Sequence, residues 1–215
     1  MIIRNLQFAI PVDEVLLRLK YNVKKSEISE PVQSLIDSMM NEGAILSEPQ
    51  AVVEEYVIAG FTQEAVLLEE TDFTLKSASL VEHLHDCYKV SLIVCTIGSG
   101  CQEKIKDFLD AKEISKAATL DAVASESVEA FTEAVNQLVN QNADAEGAET
   151  VMRFSTGYGD WSVKEQSRIV QELQAEQIGV SVNEASLMLP EKTVSACIGW
   201  KKTDKPVRKI LEGTK

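Results

Sequence analysis

Val90-Ser91-Leu92-Ile93-Val94-Cys95-Thr96-Ile97 is a short apolar run, rich in β-branched residues, that Gly98-Ser99-Gly100 ends at once. Its length is that of a strand, its residues favour a pleated, packed surface, and the glycines bound it. It predicts a buried strand over Lys89 to Ile97, followed by a helix through Ala111.

Outward toward the C-terminus, a long helix is predicted over about Ile114 to Asn140. Leu120, Ala124, Val128, Phe131, Val135 and Leu138 form its apolar stripe, and Glu126, Glu129 and Glu133 fall on roughly the opposite side. Asn140 to Glu149 is polar and contains Gly147, so a loop is expected. Ser162 and Glu165 make an S-x-x-E capping box for a helix to about Ala175. Val180 to Val182 and Thr193 to Trp200 alternate as strands do. Toward the N-terminus, Gln7 to Ile10 reads as a strand. Pro11, Asp13 and Glu14 open a helix through Lys20. Ser29 can cap a second helix with Pro31 in its first turn, and Val32, Leu35, Ile36, Met39 and Met40 give it one apolar face. Ala51 to Ile58 and Ala65 to Leu68 are expected as strands separated by Gly60, and Leu80 to Asp86 as a short helix. Helices and strands mix without a regular βαβα alternation. The expected class is α+β: a single domain, 1–215, with a twisted, mainly antiparallel sheet flanked by helices. Residues 89–200 carry the motifs, and 1–88 form a less defined helical and strand region.

The chain has 215 residues and a formal net charge of -13. Such acidity repels phosphate backbones and anionic lipid, which argues against nucleic-acid or membrane partners. The one basic cluster, Lys201, Lys202, Lys205, Arg208 and Lys209, reads as a solvated tail. There is no apolar run of bilayer length and no signal-peptide order at the start, so a cytoplasmic location is expected. Cys87, Cys95, Cys101 and Cys197 form no C-x-x-C pair and are expected as reduced thiols.

Four segments are candidate sites. His83 and Cys87 lie one helical turn apart, but no second ligand cluster accompanies them, so a zinc site is not expected. Gly98-Ser99-Gly100 could bring backbone N–H groups to a phosphate. Position 103 is glutamate rather than the glycine of G-x-G-x-x-G, and a tight turn capped by Ser99 explains the segment. No G-x-S-x-G is present, and Cys95 sits in an apolar strand, so a hydrolase is disfavoured.

The fourth segment, Arg153-Phe154-Ser155-Thr156-Gly157-Tyr158-Gly159-Asp160-Trp161, holds more chemistry. Its glycines bare the backbone. Arg153 presents a forked donor pair suited to a carboxylate. Tyr158 and Trp161 present aromatic faces that attract cations, a sulfonium among them. The plainer alternative is a turn with aromatic anchors.

Arg153, Gly157 and Tyr158 match R-x-x-x-G-Y, and the segment resembles the activation domain of cobalamin-dependent methionine synthase. Asn183-Glu184-Ala185-Ser186-Leu187-Met188-Leu189-Pro190-Glu191-Lys192-Thr193-Val194-Ser195 is similar to the family's T-E-S-x-x-M-x-P-x-x-S-V-S stretch. Thr96-Ile97-Gly98, Leu120-Asp121-Ala122 and Glu129 also look like stand-alone members. The resemblance spans about Val90 to Trp200. It implies a module that binds S-adenosylmethionine and serves the reductive remethylation of cobalamin held by a corrinoid-binding partner, with a flavodoxin-like or other electron donor. It assigns the methionyl carboxylate to Arg153, adenine contacts to backbone around Ser155 and Gly157, and the ligand or corrin face to Tyr158. Polar ligand groups fall to Glu129, with Glu184 close by. Thr156 stands where the family usually has proline, and Asn183 and Ala185 replace threonine and serine. The N-terminal region shows no counterpart of the family's early acidic ligand. No D-x-H-x-x-G is present, so cobalamin would come from the partner. A docking protein of the same fold that no longer binds S-adenosylmethionine is the alternative.

Overall fold

The computed structural model describes residues 1–21 and 28–203. In chain order its elements begin with β1 (Ile2–Arg4), α1 (Val12–Arg18), α2 (Glu30–Leu46), β2 (Gln50–Phe61), β3 (Ala65–Leu68), β4 (Thr74–Lys76) and α3 (Ala78–Leu84). They continue with β5 (Lys89–Thr96), α4 (Gly100–Asp110), α5 (Ile114–Ala145), β6 (Ala148–Thr150) and β7 (Phe154–Ser155). The last are α6 (Gln166–Glu172), β8 (Ser181–Val182), β9 (Met188–Leu189) and β10 (Thr193–Lys202).

One eight-stranded sheet runs β4-β3-β2-β5-β10-β6, with β1 on β2 and β7 on β10, and every pairing is antiparallel. This is the expected α+β class, and strands from before and after residue 88 share the sheet. β5 lies in the middle, in register with β2 from Val57↔Lys89 to Gln50↔Thr96 and with β10 from Trp200↔Lys89 to Thr193↔Thr96.

The apolar run of β5 follows from what covers it. Val90, Leu92 and Val94 enter a core with Leu80, Leu84, Trp161 and Ile169, beneath α3 and α6. Ile93 and Cys95 point the other way, into a core with Phe131, Val135 and Val139 of α5. A strand buried on both faces needs apolar residues at every position rather than at alternate ones. Trp200 of β10 is fully buried and donates its indole N–H to Ser91 Oγ at 2.8 Å, so the serine within that run is satisfied. Gly199 admits no side chain, because a Cβ there would sit 2.4 Å from Leu84 Cδ2 and 2.6 Å from Cys87 Sγ.

A third core joins α1, α2, α4 and the first half of α5 through Val15, Met39, Cys101, Leu120 and Val123. α5 has 32 residues, a rod of about 48 Å. It passes through the expected loop after Asn140 and stops only at Glu146, before Gly147 in a left-handed turn.

Other elements also depart from expectation. Gly60 does not separate the strands on either side of it. β2 continues through it, and the register against β3 shifts between Ile58 and Gly60, the irregularity a strand glycine commonly marks. Gln7 to Ile10 is neither strand nor helix; the N-terminal strand is Ile2–Arg4 instead. Ser162 caps only a single 3-10 turn, Val163–Glu165, before α6 begins at Gln166. Ser99 precedes α4 without capping it, and its hydroxyl donates to Glu103 Oε1 at 2.6 Å. In the basic cluster, Lys205, Arg208 and Lys209 lie outside the described residues.

Candidate functional site

Arg153 sits on the link between β6 and β7, the two short strands that share the outer edge of β10. Its neighbour Phe154 packs against the core under α3 and α6, so Arg153 turns to the opposite side, toward α5. There its Nη2 donates to Glu129 Oε2 at 2.9 Å. Its Nη1 is buried and has no partner.

The pair stands on the wall of a groove of about 470 Å³, within the usual size range of small-molecule sites. Glu126, Glu129, Ala130, Glu133, Ala134 and Gln137 of α5 form one side at helical spacing. Gln7, Phe8, Ala9 and Pro11 form the other. Phe8 in that segment lies against Phe131, with ring centroids 5.4 Å apart. Glu126, expected on a solvated face, is 9% exposed and accepts from Arg18 Nε at 2.5 Å. α1 covers it, and the ion pair ties that helix, and the wall leading into it, to α5.

The Arg153–Glu129 pair does not seal the groove. Their side chains are 22% and 46% exposed, and pairs so hydrated contribute about 0–1 kcal/mol. A ligand carboxylate can compete with Glu129 for the guanidinium.

The rest of the bend divides in two. Gly159, Asp160 and Trp161 are structural. Trp161 is buried, and a Cβ on Gly159 would meet Ser79 Oγ at 2.6 Å. Asp160 accepts from Ser77 Oγ, from Ala78 N–H at 2.8 Å and from Ser79 N–H at 3.0 Å. These donors hold its carboxyl well below the usual carboxylate range. Gly157 has φ +91°, and its N–H donates to the Trp161 carbonyl at 2.7 Å. Between these anchors Tyr158 is thrust outward, 68% exposed, with its ring edge-on to Phe154. Thr156, the departure from proline, donates its N–H to the Ser195 carbonyl, and its hydroxyl contacts Ser195 Oγ and accepts from Gln166 Nε2. A proline could not supply that N–H.

The structure thus brings Arg153 and Glu129 together at the groove. Ser155 pairs with Ala196 on β10, and Gly157 and Tyr158 lie on the bend; none of the three lines the groove. Glu184 is on the exposed turn between β8 and β9, which Asn183 organises by accepting from the N–H groups of Ala185 and Leu187, and it does not line the groove either. Sequence reasoning missed Phe8, Glu126 and Glu133 as groove residues. Glu126 and Glu133 carried a signal in their helical spacing with Glu129; Phe8 carried none.

The other segments have structural explanations. His83 Nε2 contacts the Met152 carbonyl at 2.7 Å, Cys87 is buried, and among the described residues no three His, Cys, Asp or Glu side chains could hold a metal. All four thiols are free and buried. Burial pushes Cys87 up to about 11 and Cys95 up to about 12, so neither is a thiolate at neutral pH. Gly98 donates its N–H to Thr96 Oγ1, and a Cβ on Gly100 would lie 2.5 Å from the Leu46 carbonyl oxygen. Those glycines let α4 pack closely against the end of α2. Among the described residues no helix is long and apolar enough to cross a membrane.

No curated protein sequence matches the chain. Among solved structures, the chain is similar to one described as the crystal structure of the MetH reactivation domain bound to AdoHcy. The TM-score is 0.62 at 12% identity, over 96% of this chain and 80% of that one. Identity so low speaks for the fold alone, including a curled antiparallel sheet flanked by helices. The family described as vitamin B12 dependent methionine synthase, activation domain, matches residues 71–205, which take in β5, α5, the bend and β10. The chain therefore belongs to the vitamin B12-dependent methionine synthase activation domain family.

Proposed function

We propose that the chain is an S-adenosylmethionine-binding module for the reductive reactivation of a cobalamin-dependent methionine synthase or a related corrinoid methyltransferase. The observation that carries this reading is the guanidinium of Arg153 on the groove wall, with one buried, unpartnered nitrogen beside a bank of carboxylates. A zwitterionic amino acid needs both kinds of group: Arg153 takes the carboxylate in a charge-assisted hydrogen bond, and Glu129 takes the ammonium or another donor. Family membership and the likeness of fold to a domain bound to AdoHcy support the choice of ligand.

The adenosine end reaches past Arg153 toward Ser155, Gly157 and Tyr158. The Gly157 N–H is already bonded within the bend, so the segment meets a purine through its carbonyls and the Tyr158 ring. Glu184 approaches only if the β8–β9 turn moves toward the bend. S-adenosylmethionine supplies the methyl group, cobalamin on a separate corrinoid-binding partner accepts it, and a flavodoxin-like or other donor supplies the electron. The residues of this chain bind and orient. We place the module in the cytoplasm, with those partners.

The test is a thermal-shift titration of the full chain. S-adenosylmethionine should raise Tm through linkage, ATP and NAD should not, and Arg153→Ala should abolish most of the shift. No shift at millimolar S-adenosylmethionine defeats the ligand assignment. Recovery of a corrinoid protein by the purified chain, with no ligand effect, would favour the docking alternative.

A further inference from the structure

We propose that Thr156 is a positioning residue for the ligand: its hydroxyl, held between Gln166 and Ser195, fixes the backbone of the bend from Ser155 to Tyr158 beside Arg153. The proposal rests on the reading above, that this bend meets the adenosine end of the ligand.

The bend leaves the sheet where its main-chain support runs out. β7 is two residues long and pairs with β10 at Phe154↔Cys197 and Ser155↔Ala196. The next main-chain bond, from Thr156 N–H to the Ser195 carbonyl, is stretched to 3.4 Å, beyond the usual range. Gly157 follows at φ +91°, and glycine restricts its own backbone least of all residues. Threonine does not fix its φ either, as a proline at this position would. Main-chain forces alone therefore hold this corner weakly.

Side chains supply what is missing. Gln166, the first residue of α6, donates from Nε2 to Thr156 Oγ1 at 3.0 Å, and Thr156 Oγ1 lies 2.9 Å from Ser195 Oγ. Both contacts are shorter than the main-chain bond beside them. Ser195 is 1% exposed, so the chain of bonds ends inside the protein, where water does not replace a lost partner. Gln166 Oε1 is buried without a partner, and the bond to Thr156 is that amide's one hydrogen bond among the described residues. One hydroxyl thus ties the bend to α6 on one side and to β10 on the other. Asp160 fixes the far end of the bend to α3. The stretch left to the hydroxyl carries the Ser155 and Gly157 carbonyls and leads into Tyr158. Because Gln166 and Ser195 occupy the hydroxyl, Thr156 acts on a ligand through its neighbours rather than by contact.

The experiment is calorimetric titration of the full chain with S-adenosylmethionine, with Tm recorded for each variant. Thr156→Val keeps the shape and removes the hydroxyl; Thr156→Ser keeps the hydroxyl. Thr156→Val should weaken binding about fivefold, the fold-change of one neutral hydrogen bond, and Thr156→Ser should stay within about twofold of wild type. Gln166→Leu should weaken it about threefold, and the double variant no more than Thr156→Val alone, because the two residues act through one contact. Thr71→Val is the control. It removes a hydroxyl with two hydrogen bonds at the other end of α6, and it should lower Tm while leaving affinity unchanged. Wild-type affinity in Thr156→Val, an equal loss in Thr156→Ser or in Thr71→Val, or a double variant that sums the two single losses overturns the proposal and leaves the ligand assignment standing. If Thr156→Val does not fold, Gln166→Leu decides, and unchanged affinity there overturns the proposal. Failure of wild type to bind overturns the assignment, and the proposal with it.

Discussion

The groove beside Gly98 and Ser99 measures about 800 Å³, against about 470 Å³ for the groove beside Arg153. The larger one is lined by Glu48, Glu103 and Glu191 with Lys106 as its one cation among the described residues, over Ile105, Leu109, Ile178 and Leu189. Its glycines are pressed against the end of α2, and its carboxylates oppose a phosphate. The smaller one has a guanidinium paired with one carboxylate through Nη2, with its Nη1 buried and unpartnered. Chemistry, not size, separates them: in the smaller groove a guanidinium meets a carboxylate with some of its bonding capacity unmet.

The sharpest way to break this contrast is Arg153→Ala. Removing a charge-assisted hydrogen bond costs about 1.5–3 kcal/mol. S-adenosylmethionine affinity, measured by calorimetry, should therefore fall about 10- to 100-fold. Next is Gly100→Ala beside the larger groove. Helix propensity alone favours alanine by about 1 kcal/mol. The 2.5 Å approach to a backbone carbonyl outweighs it, so a net loss of about 1–2 kcal/mol in urea denaturation is expected. Ligand affinity should stay as it was, which would mark that turn as packing rather than binding.

The thiol under the smaller groove gives a pH test. Burial raises Cys95 from 9.0 to about 12 in the folded chain, with Arg153 and Glu129 near enough to act on it. The unfolded chain loses this proton first. The contribution is therefore intact below pH 9 and is lost as pH rises toward 12, at up to about 1.4 kcal/mol per pH unit. Denaturation of wild type and Cys95→Ala should diverge over that window and run parallel below it. Smallest of all, Lys106→Ala in the larger groove should leave both stability and S-adenosylmethionine binding within error.

β5 was legible because it is covered on both faces and such a strand must be apolar throughout; β10, with Thr193, Ser195 and Gly199 in it, was read from alternation although it too is buried along most of its length. The start of α5 was legible from its stripe; its end was not, because Asn140 to Ala145 is polar yet continues the helix under tertiary support. β6 and β7 escaped notice because strands of three and two residues carry no period of their own. Within the site, Arg153 and Glu129 could be named from a motif. Their meeting in space could not, since it depends on which side of β10's edge the arginine leaves. Nor could the Gln7–Pro11 wall, which is neither strand nor helix and takes its place from Phe8 on Phe131 and Arg18 on Glu126.

Asp160 fastens the bend to the start of α3, and two of its donors are main-chain amides. Every amino acid but proline carries such an amide. Position 78, whose side chain is exposed, can therefore vary without unhooking the bend, whereas Ser79, pressed against Gly159, and Asp160 cannot. The rim around Tyr158 is thus hung on backbone, and the loop that presents that tyrosine keeps its shape.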